Sequence, residues 1–133
     1  MTALTEFLFP APAPRRFGSI LGWWEKRRLP FNLIVGSAGL VTLGVTQGLM
    51  WIFPGPMEWV PWQPVVVYGA LANVCYLFGP AVELAIEKLW GGRVLPTGPA
   101  LFRMGLTFSV GLTLFPALLF MIFAVVRVVL FLF

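Results

Sequence analysis

Along this chain, long uncharged apolar stretches alternate with short clusters of cations, prolines and glycines. The first stretch, 31–53 (FNLIVGSAGLVTLGVTQGLMWIF), carries no charge. The second, about 65–89, lies in a region with no charge between Glu58 and Glu83. The third, about 99–131, includes 23 uncharged residues between Arg103 and Arg127. Crossing a hydrocarbon layer of about 30 Å takes roughly 20 helical residues, so each stretch is long enough. Three transmembrane helices are predicted.

Punctuation residues agree with these limits. Pro30 is expected at the start of the first helix, where its missing N–H costs nothing, and Pro54-Gly55-Pro56 is expected to stop it. Gly91-Gly92 is expected to end the second helix. Pro116 falls inside the third stretch, but cutting there would leave two short pieces with no polar turn between them. One helix kinked at Pro116 is the better reading.

Ahead of the first span, Phe17, Ile20, Leu21 and Trp24 recur at helical spacing and Lys26, Arg27 and Arg28 follow. That pattern predicts an amphipathic interfacial helix over about 15–28. Residues 1–14 are apolar and proline-rich but lack the positive start and small-residue cleavage site of a signal peptide. The expected fold is therefore an all-α integral membrane bundle of three transmembrane helices preceded by an interfacial helix. It divides into an N-terminal segment, 1–30, and a three-span membrane domain, 31–133.

Composition sharpens the class. Apolar residues make up 59% of the 133 residues and charged ones 11%, with a mean hydropathy of +0.92. A soluble globular domain carries roughly a quarter charged residues. The net charge of +4 is better explained by a membrane surface than by nucleic acid, because the cations flank apolar spans. Five cations precede the first span, none lies in the following loop, three accompany the second loop and Arg127 alone lies near the C-terminus. By the positive-inside rule the N-terminus is expected in the cytoplasm and the C-terminus outside, in a bacterial-type inner membrane. Trp51, Trp59 and Trp62 are expected at the outer headgroup level, and Trp23, Trp24 and Trp90 at the inner one.

Candidate chemistry is sparse. The chain has no His and no Asp, and its single cysteine, Cys75, reads as a small packing residue within the second span. No catalytic base, metal cluster or phosphate-binding glycine loop can be assembled, so no catalytic or metal residue is expected and the chain is not read as an enzyme. Its aromatic content suits lipid, quinone or pigment contacts without selecting among them.

Two patterns carry the remaining signal. In the second span, Asn73, Tyr76, Pro80, Glu83 and Glu87 are spaced 3, 4, 3 and 4, within an arc of roughly 80°. This face is expected to point at protein or water, with a kink at Gly79-Pro80 and with Glu83 ionised beside Arg93 or Lys88. The second pattern is a pair of small-residue stripes: Gly36, Ser37, Gly44, Gln47 and Gly48 in the first span, and Gly105, Ser109 and Thr113 with Pro116 in the third. Such residues let helix backbones approach, within the bundle or against another subunit. Arg15, Arg16, Lys26, Arg27 and Arg28 are read as topology-setting cations that also suit anionic lipid or a docking partner.

The function these readings favour is a small non-catalytic membrane subunit that scaffolds or stabilises a larger complex. Its expected partners are membrane lipids and other integral membrane subunits, not nucleic acid. The alternative is a homo-oligomeric channel or transporter that lines its path with the polar face of the second span.

Overall fold

The computed structural model describes residues 3–53 and 59–133. The expected stop at Pro54-Gly55-Pro56, and Glu58 with it, lies outside the described residues. Five α-helices follow in order: α1 (Ala3–Leu8), α2 (Phe17–Ile52), α3 (Trp62–Tyr76), α4 (Phe78–Trp90) and α5 (Gly98–Leu132). A single 3-10 turn, Gly91–Arg93, closes α4. No strand occurs among the described residues. Three segments, Phe17–Ile52, Trp62–Arg93 and Gly98–Leu132, are long and apolar enough to cross a membrane. The chain is an all-α integral membrane protein with three candidate spans.

Two proline effects shape these spans differently from the sequence expectation. The amphipathic helix expected over 15–28 does not stand as an element of its own: residues from Phe17 onward form the first turns of α2. Pro30 consequently lies inside that helix rather than at its start. Its lost donor affects only one carbonyl, and the long flanking turns keep the helix continuous. At about 1.5 Å per residue, α2 is some 54 Å long, well beyond the hydrocarbon thickness. Pro80 has the opposite outcome. Without its N–H the carbonyl of Tyr76 loses its helical partner, and the turn ahead tightens, with the Leu77 N–H donating to Val74 O at 3.1 Å. The break separating α3 from α4 therefore falls at Leu77, ahead of the expected Gly79-Pro80. Through Pro116, α5 runs unbroken.

The main tertiary contact is between α2 and α5, with α4 packed against both. From α2, Phe31, Val35, Ala38 and Thr46 are buried, and from α5, Phe102, Leu106, Thr113, Ala117 and Ala124. These follow helical spacing on facing sides. The densest packing lies at the N-terminal end of α2, where Ile20, Trp23, Trp24, Phe31, Tyr76 and Phe102 form one cluster. Most of the remaining apolar surface is exposed, including Phe108, Phe115, Leu119 and Phe123 on α5. In lipid that exposure carries no penalty, because acyl chains are as apolar as the side chains.

The tryptophans divide accordingly. Trp51, Trp59 and Trp62 are exposed, and Trp51 meets Trp59 edge-on at 5.9 Å between ring centroids. Trp90 is also exposed, but Trp23 and Trp24 are buried, at 8% and 3%. The expected inner belt loses two of its three members to the core, because a continuous α2 turns both rings toward α4 and α5.

Candidate functional site

The polar groups of the chain converge at the end of the bundle where α2 begins, α4 ends and α5 starts. Trp24 is the hub. Its ring meets Trp23, Tyr76 and Phe102 at centroid distances of 5.4, 5.5 and 6.1 Å, all edge-on. Such geometry brings positive ring edges to negative faces. Its indole Nε1 donates to Glu83 Oε2 at 2.5 Å, a buried bond linking α2 to α4. Its backbone carbonyl accepts a bond from the Tyr76 hydroxyl at 2.6 Å.

Two glycines permit this arrangement. A Cβ on Gly79 would collide with the six-membered ring of Trp24. One on Gly98, the first residue of α5, would stand 2.6 and 2.7 Å from the two oxygens of Glu83. The carboxylate therefore sits against the start of α5, where unpaired N–H groups and the helix dipole favour negative charge. Glu83 is 6% exposed.

Two turns further along α2, Asn32 and Asn73 form a reciprocal amide pair. Asn32 Nδ2 donates to Asn73 Oδ1 at 3.0 Å, and Asn73 Nδ2 to Asn32 Oδ1 at 2.9 Å. Each amide also donates to the carbonyl four residues back, Arg28 and Gly69 respectively. Asn73, Tyr76 and Glu83 thus all bond to groups on α2. The predicted polar face of the second span points at protein, and Pro80 is buried on it. Its carboxylate has a different partner from the one expected. Glu83 bonds Trp24, while Lys88 and Arg93 are exposed. Five residues of helix rotate Lys88 by about 140° from Glu83, which turns it away.

The N-terminal segment straps this end. Trp23 Nε1 donates to Ala11 O at 2.7 Å, Phe7 meets Phe102 at 5.5 Å, and Ala13 is buried. The Arg15 guanidinium donates to the carbonyls of Gly91 and Val94 at 2.6 and 2.5 Å, with Glu87 3.8 Å away. It thereby caps the C-terminal end of α4, where carbonyls are left over and the dipole favours a cation. Arg27 stacks over Trp23 at 3.8 Å and donates to its carbonyl. Arg28 pairs with Glu25 at 2.9 Å and approaches the Tyr76 ring. Of the five cations read as a docking group, Arg15, Arg27 and Arg28 thus have partners inside the chain, whereas Arg16 and Lys26 are exposed.

The small-residue stripes are split. Thr113 is buried, accepts or donates a bond with Tyr68 at 2.7 Å, and gives its carbonyl to the Thr42 hydroxyl at 2.6 Å. The carbonyl of Ser109 accepts from the Thr113 hydroxyl, and Gln47 Oε1 accepts from the Val60 N–H at 3.1 Å. In contrast, a Cβ on Gly36, Gly44, Gly48 or Gly105 would have nothing within 4 Å, and Ser37 is exposed. These glycines do not pack the three helices together. Gly39, outside the predicted stripe, is the one that approaches α5, at 3.8 Å from Thr113 Cγ2.

Sequence reasoning missed Trp24 as a bonding partner, together with Asn32, Arg15, Gly79 and Gly98. Asn32 offered half a signal: an amide just inside an apolar span needs a partner, but the span limits read from the sequence put Asn73 nearer the middle of the membrane and so hid the pairing. No signal in the pattern distinguishes a buried Trp24 from a headgroup one. Chemically, the assembled groups can hold helices together. Among the described residues, no three His, Cys, Asp or Glu side chains gather where they could hold a metal ion. The fold and this site define a three-span membrane protein in which the polar face of the second span is bonded to its own first long helix. Comparison with known protein families, with curated proteins and with solved structures finds no match.

Proposed function

We propose that the chain is a non-catalytic membrane subunit that scaffolds or stabilises a larger membrane complex. The observation that carries this reading is a division between two kinds of surface. The polar face of the second span is occupied within the chain, by Asn32 and Trp24. The close-approach residues Gly36, Gly44 and Gly48 of α2 meet nothing within 4 Å. Between the exposed side chains of Leu40 and Trp51, Gly44 and Gly48 leave a gap of about two turns on this face where another helix backbone can come near, and packing of that kind drives association in lipid. A transport path would instead need open polar groups across the span.

In this reading the N-terminus lies in the cytoplasm, beside eight of the nine cations, and the open α2 face meets a different subunit. The test is purification of the native assembly in mild detergent, with its mass and subunits determined. Larger, different subunits are expected to co-purify, and Gly44→Leu or Gly48→Leu is expected to release them while the isolated chain stays folded. Glu83→Gln is expected to leave the assembly intact. A pure homo-oligomer that loses ion or solute flux in Glu83→Gln would overturn the proposal.

A further inference from the structure

At the end of the bundle opposite the Trp24 hub, α2 and α5 enclose an open groove of about 60 Å³. Leu49 of α2, Phe53 just beyond its end, and Phe120 and Phe123 of α5 form its apolar walls, and Arg127 stands at its rim. The Arg127 guanidinium lies 5.9 Å from the Phe123 ring centroid and is exposed. Among the described residues every carboxylate side chain, from Glu6 to Glu87, belongs to α1, α2 or α4 outside this groove.

Depth identifies what can fill such a groove. Arg103 and Arg127 are separated by 23 uncharged residues, so their Cα atoms stand about 36 Å apart along α5. That distance matches a hydrocarbon layer of about 30 Å plus a step into the headgroups on each side. A cation at phosphate depth above an apolar trough complements a molecule with an anionic head and a hydrocarbon tail running down beside it. We propose that this groove is a binding site for one membrane phospholipid of the leaflet at that end. Its phosphate diester bonds Arg127, whose planar fork suits paired phosphate oxygens. Part of one acyl chain lies between Phe53 and Phe123. The site is independent of the scaffolding role, since the open glycine face of α2 takes no part in it.

The experiment counts phospholipids retained by the detergent-purified protein in native mass spectrometry, followed by add-back of phosphatidylglycerol to delipidated protein. Arg127→Gln is expected to retain one phospholipid fewer than the unmodified chain and to rebind the added lipid at that site at least about tenfold more weakly, the scale of one lost charge-assisted hydrogen bond. Arg127→Lys is expected to keep the lipid. Phe120→Ala, which removes a wall and no charge, is expected to lose it more readily. Inorganic phosphate alone is expected not to displace it. Equal retention by the unmodified chain and Arg127→Gln would overturn the proposal, as would displacement by inorganic phosphate. So would absence of any retained lipid in the unmodified chain.

Discussion

Glu83 shows how a carboxylate can be buried where no cation among the described residues pairs with it. Its oxygens meet an indole N–H and the start of α5, two partial positive charges instead of one whole one. Substitutions should separate these contributions. Glu83→Gln keeps a carbonyl oxygen for Trp24 and should lower stability by less than about 1 kcal/mol, whereas Glu83→Leu strands a buried N–H at a cost of about 1–3 kcal/mol. Thermal unfolding in detergent would order the two; equal losses would mean that the Trp24 bond contributes nothing. The glycines provide a second comparison. Gly98→Ala drives a methyl into the Glu83 carboxylate and should destabilise by more than about 1 kcal/mol, while Gly105→Ala, with open space around it, should be neutral or slightly stabilising through helix propensity. Matching melting points for these two variants would contradict the close approach.

Among elements, Pro30, Pro80 and Pro116 differ in effect because their surroundings differ. Pro30 and Pro116 each lie within a helix of 36 or 35 residues that continues on both sides. Pro80 follows Gly79, which lies against the Trp24 ring, so the chain at Leu77 yields there and α4 can approach α2 independently of α3. The strap adds a further joint. Arg15 holds the carbonyls after α4, and the turn between α4 and α5 contains little else that fixes it. Arg15→Ala should therefore raise amide hydrogen exchange across 88–97 and cost about 1 kcal/mol, with exchange in α5 beyond Leu106 unchanged. Faster exchange spread evenly over the chain would show that Arg15 matters for global stability instead.

For the molecule as a whole, three crossings oblige the α4–α5 turn and the C-terminus to lie on opposite sides of the membrane. Single cysteines at Leu95 and Phe133, on a Cys75→Ser background, should react with an impermeant thiol reagent from opposite faces. Both positions are exposed, so access is not limited by packing. With the expected orientation Leu95→Cys reacts from the cytoplasmic face and Phe133→Cys from the outer one. Labelling of both from one face would require a different number of spans. The same molecule-wide view separates the two ends of the bundle. One is held by aromatic packing and at least three polar bonds between helices, and the other by α2 and α5 with an open groove. Both proposed binding events, of a lipid and of a partner helix, fall on the less densely packed surfaces.

Class, span number and approximate span limits follow from the one-dimensional pattern alone. An uncharged run of some 20 residues has few ways to satisfy its backbone in lipid except as a helix, whatever it packs against. The arc of Asn73, Tyr76 and Glu83 is legible for the same reason, since helical periodicity places them on one side before any partner is known. Tertiary structure decided which residues receive them. Trp24, Asn32 and Arg15 lie 59, 41 and 76 positions from their bonding partners Glu83, Asn73 and Gly91, and no local pattern encodes contacts at that range. It also decided that Gly39 rather than Gly44 meets α5, because the rotation of α2 is set by the fit of Phe31, Val35 and Ala38 against its neighbours. Apolar surface is welcome on every side of a helix in lipid, so hydrophobicity leaves that rotation open and only packing and polar pairing close it.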